Sequence, residues 1–183
     1  MRRGLTMDMI VAEATKLVEE KGYGNFSVRE LAQCLHVKAA SLYNHINSID
    51  DVNRAIGTHA AAQLNGVLER ATEGKRRDEA LYALVDEYRL FVRENYELYR
   101  AVIGLPLLDE DGAASDVGRA SIRVIRNVVC QYEIAEEDSV HFSRGFRSAL
   151  HGFILLEKAG YFTGRQVMAD KSFAFMVRGT SSG

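Results

Sequence analysis

The chain has 183 residues, 47% apolar and 26% charged, with a formal net charge of −2. Such a composition belongs to a soluble globular protein that can build one or two hydrophobic cores without disulfide or metal staples. It excludes a general polyanion binder, so any contact with nucleic acid has to come from a local surface.

No stretch approaches the roughly 18 consecutive apolar residues of a membrane span, and Arg2-Arg3 is not followed by an apolar signal core. The expectation is a cytoplasmic protein with no membrane partner. Cys34 and Cys130 lie far apart among apolar neighbours, a pattern that reads as reduced core cysteines.

In chain order, Thr6 is placed to cap a first helix carrying Ile10, Ala14 and Leu17, with Gly22 placed to end it. Ser27-Val28-Arg29-Glu30 has the form of a capping box, and Val28, Leu31, Ala32 and Leu35 follow at i, i+3, i+4 and i+7. After the turn His36-Val37-Lys38, the spacing predicts a third helix from Ala39 to about His45, with Leu42 and Ile46 inward. A long helix is expected from Ser48 to Ala71, bearing Val52, Ile56, Ala60, Leu64, Val67 and Leu68.

Beyond the charged turn EGKRRDE, the residues Leu81, Leu84, Val85, Tyr88, Phe91 and Val92 form one apolar stripe. A shorter helix over 97–103 and a loop at GLPLLDEDGAAS, around the single proline, follow. Val117, Val124, Val128 and Tyr132 share a face of the next helix. The last two helices are expected over 138–159 and 168–177. No alternating strand pattern or internal repeat is present, so the fold class is all-α: a three-helix head, residues 1–47, and a larger helical body, residues 48–183.

Two short helices joined by a tight turn, with Leu31, Leu35, Val37 and Leu42 between them, are the parts of a helix-turn-helix. Its second helix carries lysine, serine, tyrosine, asparagine and histidine, and no carboxylate falls between Leu31 and Ile49. A helix with these donors and no acid suits the DNA major groove, which is about 12 Å wide. Ala39, Ala40, Ser41 and Asn44 are assigned to the base edges. Lys38, Tyr43 and His45, with Ser27, Arg2 and Arg3, are assigned to phosphates. The competing reading is a solvated polar face on a structural helix.

The run FSVRELAQCLHVKAASLYNHINSIDDVNRAI resembles the DNA-binding signature of the tetracycline-repressor (TetR) family of prokaryotic transcription regulators, through Leu31-Ala32, Val37, Ser41, Leu42-Tyr43, His45 and Val52. LHGFILLEKAGYF is similar to a subgroup with a Trp-His-Gly or Leu-His-Gly motif, here Leu150-His151-Gly152. The resemblance implies a homodimeric, ligand-responsive repressor that binds a palindromic operator on double-stranded DNA. Two positions depart from the family pattern. His36 stands where glycine usually opens the turn, and Ile49, followed by Asp50 and Asp51, stands where a lysine usually touches a phosphate.

Tyr23, Phe26 and Tyr43 are the aromatic residues of the head, and all others fall in the body, where an effector pocket is expected. His59, Gln63, Tyr88, Phe91, Asn127 and Phe146 are its candidate lining, although aromatic stripes at helical spacing are more often core. Gly145, Ala149 and Gly152 recur at i, i+4 and i+7 and clear a shallow groove for another helix. The resemblance implies that the last two helices form the dimer contact. His151 falls on the flank of Arg144 and Arg147 rather than on the aromatic stripe.

An enzyme is not expected, and neither a cofactor nor a metal is assigned. GYFTGR lacks the lysine and hydroxyl residue of a phosphate loop. His141 and His151 lie some 15 Å apart along a helix, too far to share an ion within one chain. The alternative is an all-α small-molecule-binding protein or helical enzyme without DNA activity.

Overall fold

The structure, a computed structural model, describes residues 4–105, 116–132, 134–163 and 168–181. Among these it contains α1 (Met7–Lys21), α2 (Val28–Cys34), α3 (Ala39–Leu42), α4 (Ile49–Thr72), α5 (Arg77–Glu94), α6 (Tyr96–Ile103), α7 (Asp116–Val129), α8 (Glu136–Lys158) and α9 (Ala169–Ser181). No strand occurs among the described residues, in agreement with the all-α reading. Residues 106–115, most of the expected proline loop, lie outside the described residues, as do Arg2 and Arg3. Among the described residues no helix is long and apolar enough to cross a membrane.

The chain divides into two compact units. The first falls within Met1–Gln63 and Asn95–Val117. Ile10, Ala14, Leu17 and Val18 of α1 pack in its core with Leu31, Ala32, Leu42, Ile46, Val52 and Ile56, as the helical spacing predicts. The unit also takes in α6, which closes on α1. The Tyr23 amide donates to Glu97 Oε2 at 2.8 Å, and Arg100 holds the same oxygen at 2.9 Å.

Within this unit Gly57 of α4 lies against α6. A Cβ built there would stand 2.7 Å from the Ala101 carbonyl oxygen.

The second unit falls within Leu64–Glu94 and Gly118–Gly183. Its core takes Leu81, Leu84, Val85, Tyr88, Phe91 and Val92 from α5, the complete expected stripe, with Val124 and Val128 of α7 and Phe146, Leu150 and Ile154 of α8. Tyr132 does not extend the α7 stripe: α7 ends at Val129, and in the following turn the Tyr132 hydroxyl donates to Asp78 Oδ1 at 2.7 Å. Burial, and then that bond, push its phenol above the ordinary range.

The same unit holds an ion cluster that helical periodicity does not predict. Arg89, 8% exposed within the α5 stripe, donates through Nε to Glu157 Oε2 at 3.0 Å and through Nη2 to Glu157 Oε1. It also meets Asp170 of α9 at 2.8 Å and lies over the Phe173 ring, 4.4 Å from the centroid. One guanidinium thereby ties α5, α8 and α9 together.

Both cysteines depart from the core reading, since Cys34 and Cys130 are exposed. Cys34 stands two residues past Ala32, about 200° round the helix and so off the buried stripe. Cys130 follows the end of α7, where the chain turns away.

Candidate nucleic-acid interface

The head is assembled by local hydrogen bonds that set where each helix begins and ends. Thr6 Oγ1 caps α1 by accepting from the Met9 amide at 3.3 Å. At α2 the capping box is complete: Ser27 Oγ accepts from the Glu30 amide at 3.2 Å, and Glu30 Oε2 accepts from the Ser27 amide at 2.9 Å. Lys21 adds an ion pair to Glu30 at 2.6 Å. With the Lys21 contact first and the Ser27 bonds next, the Glu30 carboxyl falls to about 2. Glu30 is thereby committed to Lys21 and Ser27. The Ser27 hydroxyl also donates to Glu30 at 2.8 Å, so its proton is already used within the cap.

The turn between α2 and α3 closes in the manner of a Schellman motif. Val37 N–H donates to the Ala32 carbonyl at 3.0 Å and His36 N–H to the Gln33 carbonyl at 3.0 Å. His36 takes the left-handed backbone this motif requires, with φ of 54°, where glycine would meet no steric cost. The turn thus closes with histidine at the position where glycine is the less strained residue.

α3 is shorter than expected. Its α-helical part is Ala39–Leu42, and residues 43–45 continue as a turn in which His45 N–H donates to the Leu42 carbonyl at 2.8 Å. Bonds from residue i+3 tighten a helix end in this way. The inward residues are the expected ones, Leu42 and Ile46, both buried. Lys38, Ala40, Tyr43, Asn44 and His45 are exposed, whereas Ala39 and Ser41 are half-buried. Tyr43 leaves 56% of its surface in solvent, an unusual display for a large aromatic ring.

Of the two acids that open α4, Asp51 is turned back toward the residues that precede the helix. Asp51 Oδ2 accepts from the Asn47 amide at 2.7 Å and from the Ser48 amide at 3.3 Å, and those bonds hold its carboxyl below the ordinary range. Ser48 Oγ accepts from the Asp50 amide at 3.2 Å. Asp51 thus satisfies amides that precede the helix, leaving Asp50 as the exposed acid at this end.

The candidate effector residues are distributed between the units. His59 and Gln63 bond each other at 3.0 Å, and His59 lines a groove of about 890 Å³ between α1 and α4 with Val11, Asp51, Arg54 and Ala55. Tyr88, Phe91 and Phe146 are buried in the core of the second unit, and Asn127 is exposed. Along α8, Gly145 is exposed and Ala149 and Gly152 are half-buried, and a Cβ at either glycine would meet nothing within 4 Å. Leu156, one turn further along the same line, is 43% exposed, and Phe175 of α9 is 76% exposed. Among the described residues no group of three or more His, Cys, Asp or Glu side chains gathers as a metal site would require.

Residues 10–56 match the family described as bacterial regulatory proteins, tetR family, and residues 81–180 match the tetracyclin repressor-like C-terminal domain. The chain is 28% identical over 179 residues to the HTH-type transcriptional regulator Rv0681 of Mycobacterium tuberculosis, covering 98% of this chain and 81% of that one. Among solved structures it is similar to a protein of unknown function from Rhodococcus sp. RHA1, with TM-score 0.78 and 22% identity over 100% of this chain and 96% of the other. It is also similar to a TetR variant from Acinetobacter baumannii AYE in complex with minocycline, with TM-score 0.70 and 18% identity over 98% and 96% of the two chains.

Proposed function

The chain belongs to the tetracycline-repressor family of bacterial regulatory proteins, a family of DNA-binding transcriptional regulators rather than enzymes, and on that premise we propose that it is a ligand-responsive repressor. It binds a palindromic operator as a homodimer, with residues 1–47 as the DNA-binding part and 48–183 as the regulatory part. The observation that carries this reading is the acid-free surface from Lys38 to His45, held outward by the buried Leu42 and Ile46. Selecting bound duplexes from a random pool tests it: an enriched palindrome is expected, and a pool that stays random overturns the reading.

The side chains of this segment divide by chemistry. Ala39, Ala40, Ser41 and Asn44 face the groove, where small residues permit close approach and Asn44 bonds a base edge. Lys38, Tyr43 and His45 hold phosphates and set register. Lys38→Ala is therefore expected to weaken preferred and random duplexes alike, with the salt dependence reduced by about one ion per head. Asn44→Ala should lose roughly 1–3 kcal/mol chiefly against the preferred site. Equal losses on both duplexes for both variants, in fluorescence anisotropy at several salt concentrations, would sink this division.

The dimer is assigned to the outer faces of α8 and α9. Support comes from the open line Gly145, Ala149, Gly152 and Leu156, together with the exposed Phe175. Small residues let a second helix approach closely, and the neighbouring apolar side chains supply area to bury. Gly152→Arg or Ala149→Arg would place an unpaired charge in that contact at a cost of several kcal/mol. Sedimentation equilibrium should find both variants monomeric, and a stable dimer in either would move the interface elsewhere.

The effector is proposed to be a small molecule; the A. baumannii TetR variant of similar fold is in complex with one, minocycline. It changes DNA affinity only if it binds one conformation better than another.

A further inference from the structure

The geometry points to a binding site for a small organic carboxylate in the cleft between α7 and α8. The cleft has a volume of about 250 Å³ and is lined by Ile125 and Arg126 of α7 and by Val140, Ser143, Arg144 and Arg147 of α8. The four α8 residues stand at i, i+3, i+4 and i+7, so one flank of the helix faces the cleft. This assignment concerns binding alone and is independent of the DNA, effector and dimer readings above.

Charge gives the site its sign. Arg126 Nη2 donates to Glu136 Oε1 at 2.7 Å and is ion-paired with it. Among the described residues, no carboxylate lies within ion-pair distance of Arg144 or Arg147. α8 carries no acid between Asp138 and Glu157, so its own sequence offers them none. Two guanidinium groups one turn apart thus face the cleft with no counter-charge among the described residues. His151, one turn beyond Arg147, is held below the ordinary histidine range, first by burial and then by Arg147.

The walls give the ligand its body. Ile125 is 3% exposed and Val140 is half-buried, so the arginines rim an apolar cleft. Ser143, also buried, donates its hydroxyl to the Ser139 carbonyl at 2.7 Å and leaves no unmatched proton in the floor. A guanidinium binds a carboxylate through paired N–H donors, and the apolar walls favour a compact hydrocarbon attached to it. The volume is slightly below the range of about 300–1,000 Å³ for drug-sized ligands, which suits a single aromatic ring or a short branched chain.

Isothermal titration calorimetry on the full chain at low ionic strength, with benzoate, benzamide and inorganic phosphate as probes, tests the assignment. Benzoate should bind saturably, with benzamide and phosphate each at least tenfold weaker, since one lacks the charge and the other the apolar body. Arg144→Gln and Arg147→Gln should each weaken benzoate at least tenfold, while Arg144→Lys should lose less. Benzoate should also raise the pKa of His151, followed by NMR, because the bound anion offsets the field of Arg147. Both glutamine variants replace side chains at the cleft rim, and circular dichroism checks that they remain folded. Absence of saturable benzoate binding, equal affinity for benzamide, equal affinity for phosphate, or full affinity in the Arg144→Gln/Arg147→Gln double variant would each overturn the site.

Discussion

Arg89→Ala is expected to destabilise the protein by about 3–5 kcal/mol, the range observed when one partner of a buried ion pair is removed. The loss follows from what is left behind. The Glu157 side chain, 14% exposed, would keep its charge without the two guanidinium bonds it accepts now, with only the more distant Arg93, at 3.9 Å, facing it. Asp170, 62% exposed, can turn to water and contributes little to the cost. Removing the guanidinium also empties the space over Phe173, adding a cavity term. Urea denaturation measures the difference. A companion variant, Arg89→Met with Glu157→Leu, removes both charges together and should recover most of the stability, as replacing a whole buried pair by apolar residues often does. A loss below about 1 kcal/mol in Arg89→Ala would mean that the pair behaves like a surface ion pair.

Gly57→Leu should unfold the first unit or leave it barely stable, and Gly57→Ala is expected to cost about 1–3 kcal/mol by overpacking. The geometry explains why even a methyl group is too large. A Cβ at residue 57 would lie 2.7 Å from the Ala101 carbonyl oxygen and 2.8 Å from both Cγ and Cδ2 of Leu105. Leu105 can shift its side chain, but the Ala101 oxygen belongs to the backbone of α6 and moves only with the helix. Ordinarily Gly→Ala within a helix gains up to about 1 kcal/mol from backbone propensity, so the sign of this substitution separates the two effects. Thermal denaturation monitored by circular dichroism gives that sign. An unchanged or higher Tm for Gly57→Ala would show that α4 and α6 have slack between them. For Gly57→Leu, DNA affinity should fall together with stability, because Val52 and Ile56 of the same helix lie in the core shared with Leu31 and Leu42.

What the amino-acid sequence determines by itself is local: where helices start and stop, and which face of each is apolar. Thr6, Ser27 with Glu30, and Gly22 act within a few residues of their own positions, and the structure finds each cap where its side chain or backbone predicts it. The α5 stripe from Leu81 to Val92 is buried at every expected position, because helical periodicity alone selects that face. The absence of acids from Lys38 to His45 is likewise a property of the sequence itself.

Tertiary structure decides which groups meet across distant parts of the chain, and periodicity carries no information about that. Glu157 lies 68 residues from the arginine it holds, and Glu97 lies 74 from the Tyr23 amide. Arg89 falls at i+4 from Val85 within an apolar stripe, a signal of burial that names no partner. The cysteines looked apolar from their neighbours, yet Cys34 points off the packed face and Cys130 follows a helix end. α3 stops at Leu42 because bonds from residue i+3 tighten the chain there, a choice its side-chain pattern leaves open. Burial of Tyr88, Phe91 and Phe146, and the shared cleft of Ile125 with Arg144 and Arg147, are decided by how α5, α7 and α8 pack: each helix presents a face, and only its neighbours determine whether that face becomes core or cleft.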